Sequence, residues 1–361
     1  GNAIDAPVAA ALALGVADAD ASGLAGATLA LVRLADGPTI AVDGSSRTPS
    51  FLDLEKLKEM KEAGRNYGYE TVAVPATLAA LEHMRSRFGT MSFAELAAPA
   101  IAIAEQGYGL SEIQIAWTEV YYDNILAASI YMPFLAMEDG RSIGRPGDRQ
   151  CQPELAVTLR RLARAGVASF YRGPIADAIE ADMAANGGFL RKSDLAMYRV
   201  RELAPVRGSY RGHEVLSFPP PGGGSKLISM LRILEGFPSA FLAADATDRH
   251  HAIIEAARIA HFGGGAGGGS GLPEALAGVR PQGREPGGTS APSITAGRAI
   301  PRAEIAPALP EHCVQSGEST TQVSVVDREG NVVSLRQTLG RSFGAKVATP
   351  GLGVAYNRLL E

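Results

Sequence analysis

The sequence predicts an α+β fold, with helices first and strands joined by hairpins last. Three observations carry this. Helical patterns recur between residues 52 and 198, a strand pair with a short turn precedes them, and β-branched runs separated by a Gly/Asn loop close the chain. Helices first and hairpins last fit antiparallel sheets covered by helices.

Taken in order, residues about 4–17 are rich in Ala and Leu and favour helix. Thr28–Leu34 and Thr39–Asp43 read as strands joined by the turn Ala35-Asp36-Gly37-Pro38. Helices are expected over roughly 52–64, 75–88, 92–107, 152–165, 174–186 and 193–198. Pro153 just after Gln152 suits a first helical turn. Asn186-Gly187-Gly188 suits a helix stop. A strand at about 213–218 leads into Pro219-Pro220-Pro221-Gly222-Gly223-Gly224, followed by helices over 226–235 and 246–261. Residues 262–292 turn glycine- and proline-rich, the composition of a flexible linker. Gln322–Val326 and Val332–Leu335 then flank a hairpin loop, Asp327-Arg328-Glu329-Gly330-Asn331.

Composition narrows the function classes. At 361 residues and 46% hydrophobic, the chain can bury a large core in one big domain or two intimately packed ones. A formal charge of −4 leaves no basic footprint for nucleic acid. Two cysteines, Cys151 and Cys313, cannot build a disulfide framework or a zinc cluster; both are expected as small buried residues, a single disulfide between them being the lesser alternative. Six histidines without an i, i+4 pair argue against a metal site, and no cofactor is implied. The apolar run Ala6–Ala17 contains Pro7 and is too short to span a membrane.

The chemistry points to Glu318-Ser319-Thr320-Thr321-Gln322-Val323. A threonine hydroxyl needs a base, and cutting the Ser319–Thr320 bond would free an α-amine on Thr320 itself to serve as one. By residue type alone, Thr-Thr before a β-branched run is an ordinary strand start.

The surrounding text favours the chemical reading. Gly1-Asn2-Ala3-Ile4-Asp5-Ala6, Val74-Pro75-Ala76-Thr77, Phe88-Gly89-Thr90-Met91, Ala104-Glu105-Gln106-Gly107-Tyr108, Phe170-Tyr171-Arg172-Gly173, Asp194-Leu195-Ala196-Met197-Tyr198, Tyr210-Arg211-Gly212-His213, Pro219–Gly224, the Thr320 block and Phe343-Gly344 occur in one order. Together they resemble the gamma-glutamyltranspeptidase family of self-cleaving N-terminal-nucleophile (Ntn) hydrolases, over most of the chain apart from about 262–310. The resemblance implies an αββα Ntn-hydrolase sandwich of two stacked, mainly antiparallel sheets covered by helices. It implies a large-subunit-like region at 1–319 and the start of a small-subunit-like region at 320–361, the two pieces staying associated after self-cleavage. Because the chain begins without Met inside one motif and ends inside another, it reads as truncated at both ends. Its compartment, bacterial periplasm or cytoplasm, stays open.

By the same resemblance, Thr320 is the nucleophile for self-cleavage after Ser319 and for acyl transfer. Thr321 fixes the substrate or the free amine, and Thr338 assists processing or is simply a polar strand residue. Gly223 and Gly224 line the site or provide close backbone packing beside it. Departures bear on substrate. Where glutathione-cleaving members carry a carboxylate-gripping arginine, this chain has Ser45, with Arg47 two residues on. In extended backbone that shift is about 6–7 Å on the same face. Arg47 is expected to grip a substrate carboxylate at altered reach or to be a surface arginine. Gly340 replaces an asparagine, Gln322 replaces a histidine, and only Asn357 remains of an Asn-Asn-Gln run. The family's oxyanion-stabilising segments fall beyond residue 361. The expectation is a self-processing threonine amidohydrolase or acyltransferase acting on a small carboxylate-bearing amide, with hydrolysis favoured over transpeptidation. The alternatives are an uncleaved, non-catalytic scaffold of the same fold and, ranked lower, a nucleotide-binding module using residues 222–226.

Overall fold

The computed structural model describes residues 1–128, 143–243, 247–262 and 320–360. Ser319, Cys313 and nearly all of the linker-like stretch at 262–292 lie outside the described residues. The chain forms two compact units, Gly1–Leu203 with Gln315–Glu361, and Ala204–Val314.

In the first unit the helices are α1 (Asp5–Ala17), α2 (Leu54–Glu62), α3 (Thr77–Phe88), α4 (Phe93–Gln106), α5 (Glu112–Ala128), α6 (Pro153–Ala165), α7 (Ala168–Arg172), α8 (Pro174–Ala185) and α9 (Lys192–Met197). The strands up to residue 203 are β1 (Ala27–Arg33), β2 (Thr39–Gly44), β3 (Tyr108–Gly109), β4 (Arg149–Gln150) and β5 (Arg201–Leu203). The second unit holds β6 (Val206–Tyr210), β7 (His213–Ser217), α10 (Gly224–Glu235), α11 (Ser239–Ala243) and α12 (Thr247–Phe262). The chain then returns to the first unit with β8 (Thr321–Val326), β9 (Val332–Thr338), β10 (Ala348–Thr349) and β11 (Val354–Ala355).

Five strands form one antiparallel sheet in the order β5-β2-β1-β9-β8. The late hairpin therefore does not stand alone, because β9 inserts beside β1 with Ala30 opposite Leu335 and Ala27 opposite Thr338. Its loop is fastened to the other end of the chain: Ala3 N donates to Asp327 Oδ2 at 2.9 Å. α1 packs on β8 and β9, α3 packs on β1 and β2, and α4 lies between α1 and α6. Ile4 at the N-cap of α1 and Leu12 and Val16 within it share the main core with Leu78, Leu81 and Met84 of α3 and Val333 and Leu335 of β9. Central β9 alternates buried and less buried residues, whereas the edge strand β8 leaves Val326 exposed.

Local signals behave as their chemistry requires. Ser92 and Glu95 close a capping box on α4. Gly187 takes φ +75° after α8, and Gly188 N donates to Met183 O at 2.8 Å, ending the helix by the glycine route. The short elements α7, β6 and α11 are additional to the sequence reading, and two further departures have a plain reason. α5 was not expected; its apolar residues run around the helix, leaving Ile113 and Val120 exposed while Ile125 is buried, so no clean stripe marks it. Cys151 is exposed rather than buried, because its neighbours Gln150 and Gln152 take the two inward positions between β4 and α6. Among the described residues no helix is long and apolar enough to cross a membrane.

Candidate active site

The strand register gathers the candidate residues at one end of the sheet. Thr321 begins β8 opposite Gln337, Thr338 ends β9 opposite Ala27, Thr28 faces Gly44 at the end of β2, and Arg201 opens β5 opposite Asp43. Thr320, Thr338, Arg47 and Arg201 therefore lie at the same end of the sheet. Three strand spacings separate β8 from β2, roughly 14 Å, a gap that a long arginine side chain shortens.

Thr320 is half-buried directly before β8. Its Oγ1 donates to Thr338 Oγ1 at 3.2 Å, and Arg336 Nη2 donates to it at 3.4 Å. Thr338 Oγ1 in turn accepts from Gly340 N at 2.9 Å, which fixes the hydroxyl facing Thr320. Thr321 points elsewhere. It donates to Asp18 Oδ2 at 2.5 Å and accepts from Ser22 Oγ at 2.7 Å, so its proton is committed to a carboxylate of the loop after α1. Burial pushes the Asp18 carboxyl up, against the pull of the Thr321 and Ser22 hydroxyls. Burial also raises Asp20, to about 6, with the neighbouring Asp18 charge adding to the effect. Asp20 Oδ1 is buried without a hydrogen-bond partner.

That loop lies tight against β9. Leu339 N donates to Ala21 O at 3.0 Å and Phe343 N to Asp20 O at 2.8 Å. A Cβ on Gly26 would sit 2.2 Å from Thr338 O, so only glycine allows the two backbones to approach this closely.

On the arginine side, Asp43 is fully buried and Oδ2 accepts from Arg201 Nε at 2.8 Å and from Arg47 Nη2 at 3.3 Å. Burial opposes ionisation of Asp43, but Ser45 and the two guanidiniums outweigh it and hold the carboxyl below its ordinary range. Arg47 also donates to Ser45 O at 3.2 Å and Ser46 O at 3.4 Å, so its guanidinium rests on its own loop. Gly223 caps α10 and Gly224 begins it, with a Gly224 Cβ reaching 2.3 Å from Phe218 O. That contact is close backbone packing, and both glycines belong to the second unit.

One departure, Gly340, and one retained residue, Asn357, acquire physical reasons. Gly340 has φ +93°, and its Cβ would lie 2.4 Å from Arg358 O, so an asparagine cannot stand there with this backbone. Asn357 is fully buried and its amide is spent on the fold: Nδ2 donates to Ala25 O and Ala73 O, and Oδ1 accepts from Ala73 N. Sequence reasoning missed Asp18, Ser22, Arg201 and Arg336. A signal for the first existed, since acids at 18 and 20 follow a helix C-terminus, where the dipole disfavours negative charge.

A family model described as gamma-glutamyltranspeptidase matches residues 1–361. The chain is 34% identical over 369 residues to a glutathione hydrolase proenzyme of Pseudomonas sp. (strain A14), covering 99% of this chain and 62% of that protein. It is also 34% identical over 385 residues to an Acylase ACY 1 proenzyme of Pseudomonas sp. (strain V22), covering 100% of this chain and 65% of that one. Among solved structures, the cephalosporin acylase of Bacillus halodurans superposes with a TM-score of 0.79 at 29% identity, covering 99% of this chain and 65% of that chain. The chain thus spans a little under two thirds of the length of these relatives. The expected αββα Ntn-hydrolase fold class is the class of these structures, and the five-stranded antiparallel sheet with α1 and α3 against it belongs to it. With motifs, sheet topology and whole-chain match in agreement, this chain is a member of the gamma-glutamyltranspeptidase family.

Proposed function

We propose that the protein is a self-processing threonine amidohydrolase or acyltransferase that forms an acyl-enzyme on Thr320 and passes the acyl group chiefly to water. The observation that carries this reading is the Thr320 hydroxyl directly before β8, 3.2 Å from the Thr338 hydroxyl at the sheet end. Relatives named as proenzymes support a precursor that is cut. Cleavage between Ser319 and Thr320 would leave pieces 1–319 and 320–361, held together because β9, on the later piece, pairs with β1 on the earlier one.

In the processed site the Thr320 amine takes the hydroxyl proton as Oγ1 attacks an amide carbonyl. The tetrahedral adduct collapses, the substrate amine leaves with that proton, and an ester remains on Oγ1. Water, deprotonated by the same amine, attacks the ester and restores Thr320. Thr338 orients the hydroxyl during self-cleavage. Thr321, engaged with Asp18 and Ser22, contributes to the site by holding the strand start.

Glutathione hydrolases and acylases among the relatives support a small amide bearing a carboxylate as substrate. Arg47 would grip that carboxylate by exchanging its hydrogen bonds to Ser45 O and Ser46 O for the ligand. Loss of the asparagine at position 340 and commitment of Asn357 to the fold remove acceptors for an α-ammonium, which favours acylase-type over strictly gamma-glutamyl amides. The test is amine release from a panel of gamma-glutamyl, glutaryl and neutral acyl amides. Arg47→Ala should raise KM for the acidic amides at least tenfold with little change in kcat. An unchanged KM removes Arg47 from the site, and no turnover of any amide refutes the reading.

A further inference from the structure

We propose that Asp18 is a positioning residue of this site, locking the first residue of β8 through the Thr321 hydroxyl and so setting the geometry of Thr320 one residue before it; the inference rests on the reading of Thr320 as nucleophile. The tie joins parts of the chain far apart in sequence. Asp18 caps the C-terminus of α1, Ser22 is fully buried in the following loop, and both hydroxyl contacts converge on Thr321 at 2.5 and 2.7 Å.

A carboxylate is a costly choice for fastening a strand here. It sits at the negative end of α1, is partly desolvated, and has a second acid, Asp20, as neighbour. A neutral acceptor would secure the backbone without those penalties. What the charge adds is a shorter and stiffer hydrogen bond than a neutral pair makes. The loop that carries it also holds the other strand of the site, through Leu339 N to Ala21 O and Phe343 N to Asp20 O. Residues 18–26 therefore grip β8 by side chains and the exit of β9 by backbone, and the spacing between the Thr320 and Thr338 hydroxyls depends on both grips. Thr321 gains a role distinct from substrate contact: its hydroxyl is the handle by which α1 holds the nucleophile's strand.

The experiment follows appearance of the fragment beginning at Thr320 in the purified full-length protein, with Thr320→Ala as control, and amide turnover once processing is complete. Asp18→Asn and Thr321→Val should each slow self-cleavage about 10- to 100-fold, the loss expected from displacement of a reacting group by an ångström or less. Turnover should fall through kcat with KM unchanged. Thr321→Ser keeps the hydroxyl and should retain the parent rate within about threefold. A purely structural tie predicts instead that Thr321→Ser and Thr321→Val differ only in thermal stability. If the parent cleaves, Thr320→Ala does not, and Asp18→Asn cleaves at the parent rate, the inference falls while the nucleophile stands. Equal slowing in Thr321→Ser and Thr321→Val also overturns it. If the parent never cleaves, both fall together.

Discussion

Aspartates at the two ends of α1 are treated in opposite ways: Asp5 is buried in its first turn, and at the other end Asp18 is half-buried and Asp20 buried. At the N-terminal end, Asp5 accepts from Asn2 N at 2.9 Å, Thr90 N at 3.0 Å, Met91 N at 3.2 Å and the Thr90 hydroxyl at 2.6 Å. Burial pushes its carboxyl up, yet these donors outweigh burial and hold it below the usual range. At the C-terminal end, burial raises Asp18 and Asp20 with fewer donors to offset it, and one Asp20 oxygen has no partner. The helix dipole favours the first arrangement and opposes the second. One end is built for stability; the other tolerates instability beside the residues that would do chemistry, where such conflicts tend to be kept.

This comparison can be broken by mutation. The largest stability effect should come from Asp5→Ala, which removes the acceptor of four part-buried hydrogen bonds at the start of α1 and should cost about 3 kcal/mol in denaturant unfolding. A loss under about 1 kcal/mol would mean the Asp5 network is ornamental to the fold. Asp20→Asn should act in the other direction and stabilise the protein by about 2 kcal/mol near pH 8. The sign follows from the raised folded value. Between the ordinary aspartate range and about 6 the native state binds more protons than the unfolded one, so stability falls as pH rises through that window. Asp20→Asn removes that fall, whereas the depressed Asp5 contributes stability above the ordinary aspartate range that is lost as acid titrates its folded carboxyl. A variant as pH-sensitive as the parent between pH 4 and about 6 would mean that Asp20 does not cause that fall.

Much of this was legible in the residues. The strand pair with Ala35-Asp36-Gly37-Pro38, the glycine stop after α8 and the hairpin around Gly330-Asn331 rest on local backbone chemistry, and the strands and helix end stand where that chemistry puts them. Thr320 and Thr338, eighteen positions apart, come together because β8 and β9 are a hairpin, which the sequence also signals. What stayed hidden depends on partners distant in the chain. Asp18 acquires its meaning only from Thr321, Arg201 only from sharing Asp43 with Arg47, and Asn357 only from the backbone of Ala25 and Ala73. α5 escaped for another reason, since a helix apolar on several sides has no period to read.

Thr320 gains its base only if the polypeptide opens just ahead of it. Intact-mass measurement of the purified protein over a long incubation tests this directly. It should give two pieces, the later one starting at Thr320, and Thr320→Ala should remain one species. A parent chain that keeps its undivided mass, or an alanine variant that divides equally well, would contradict it.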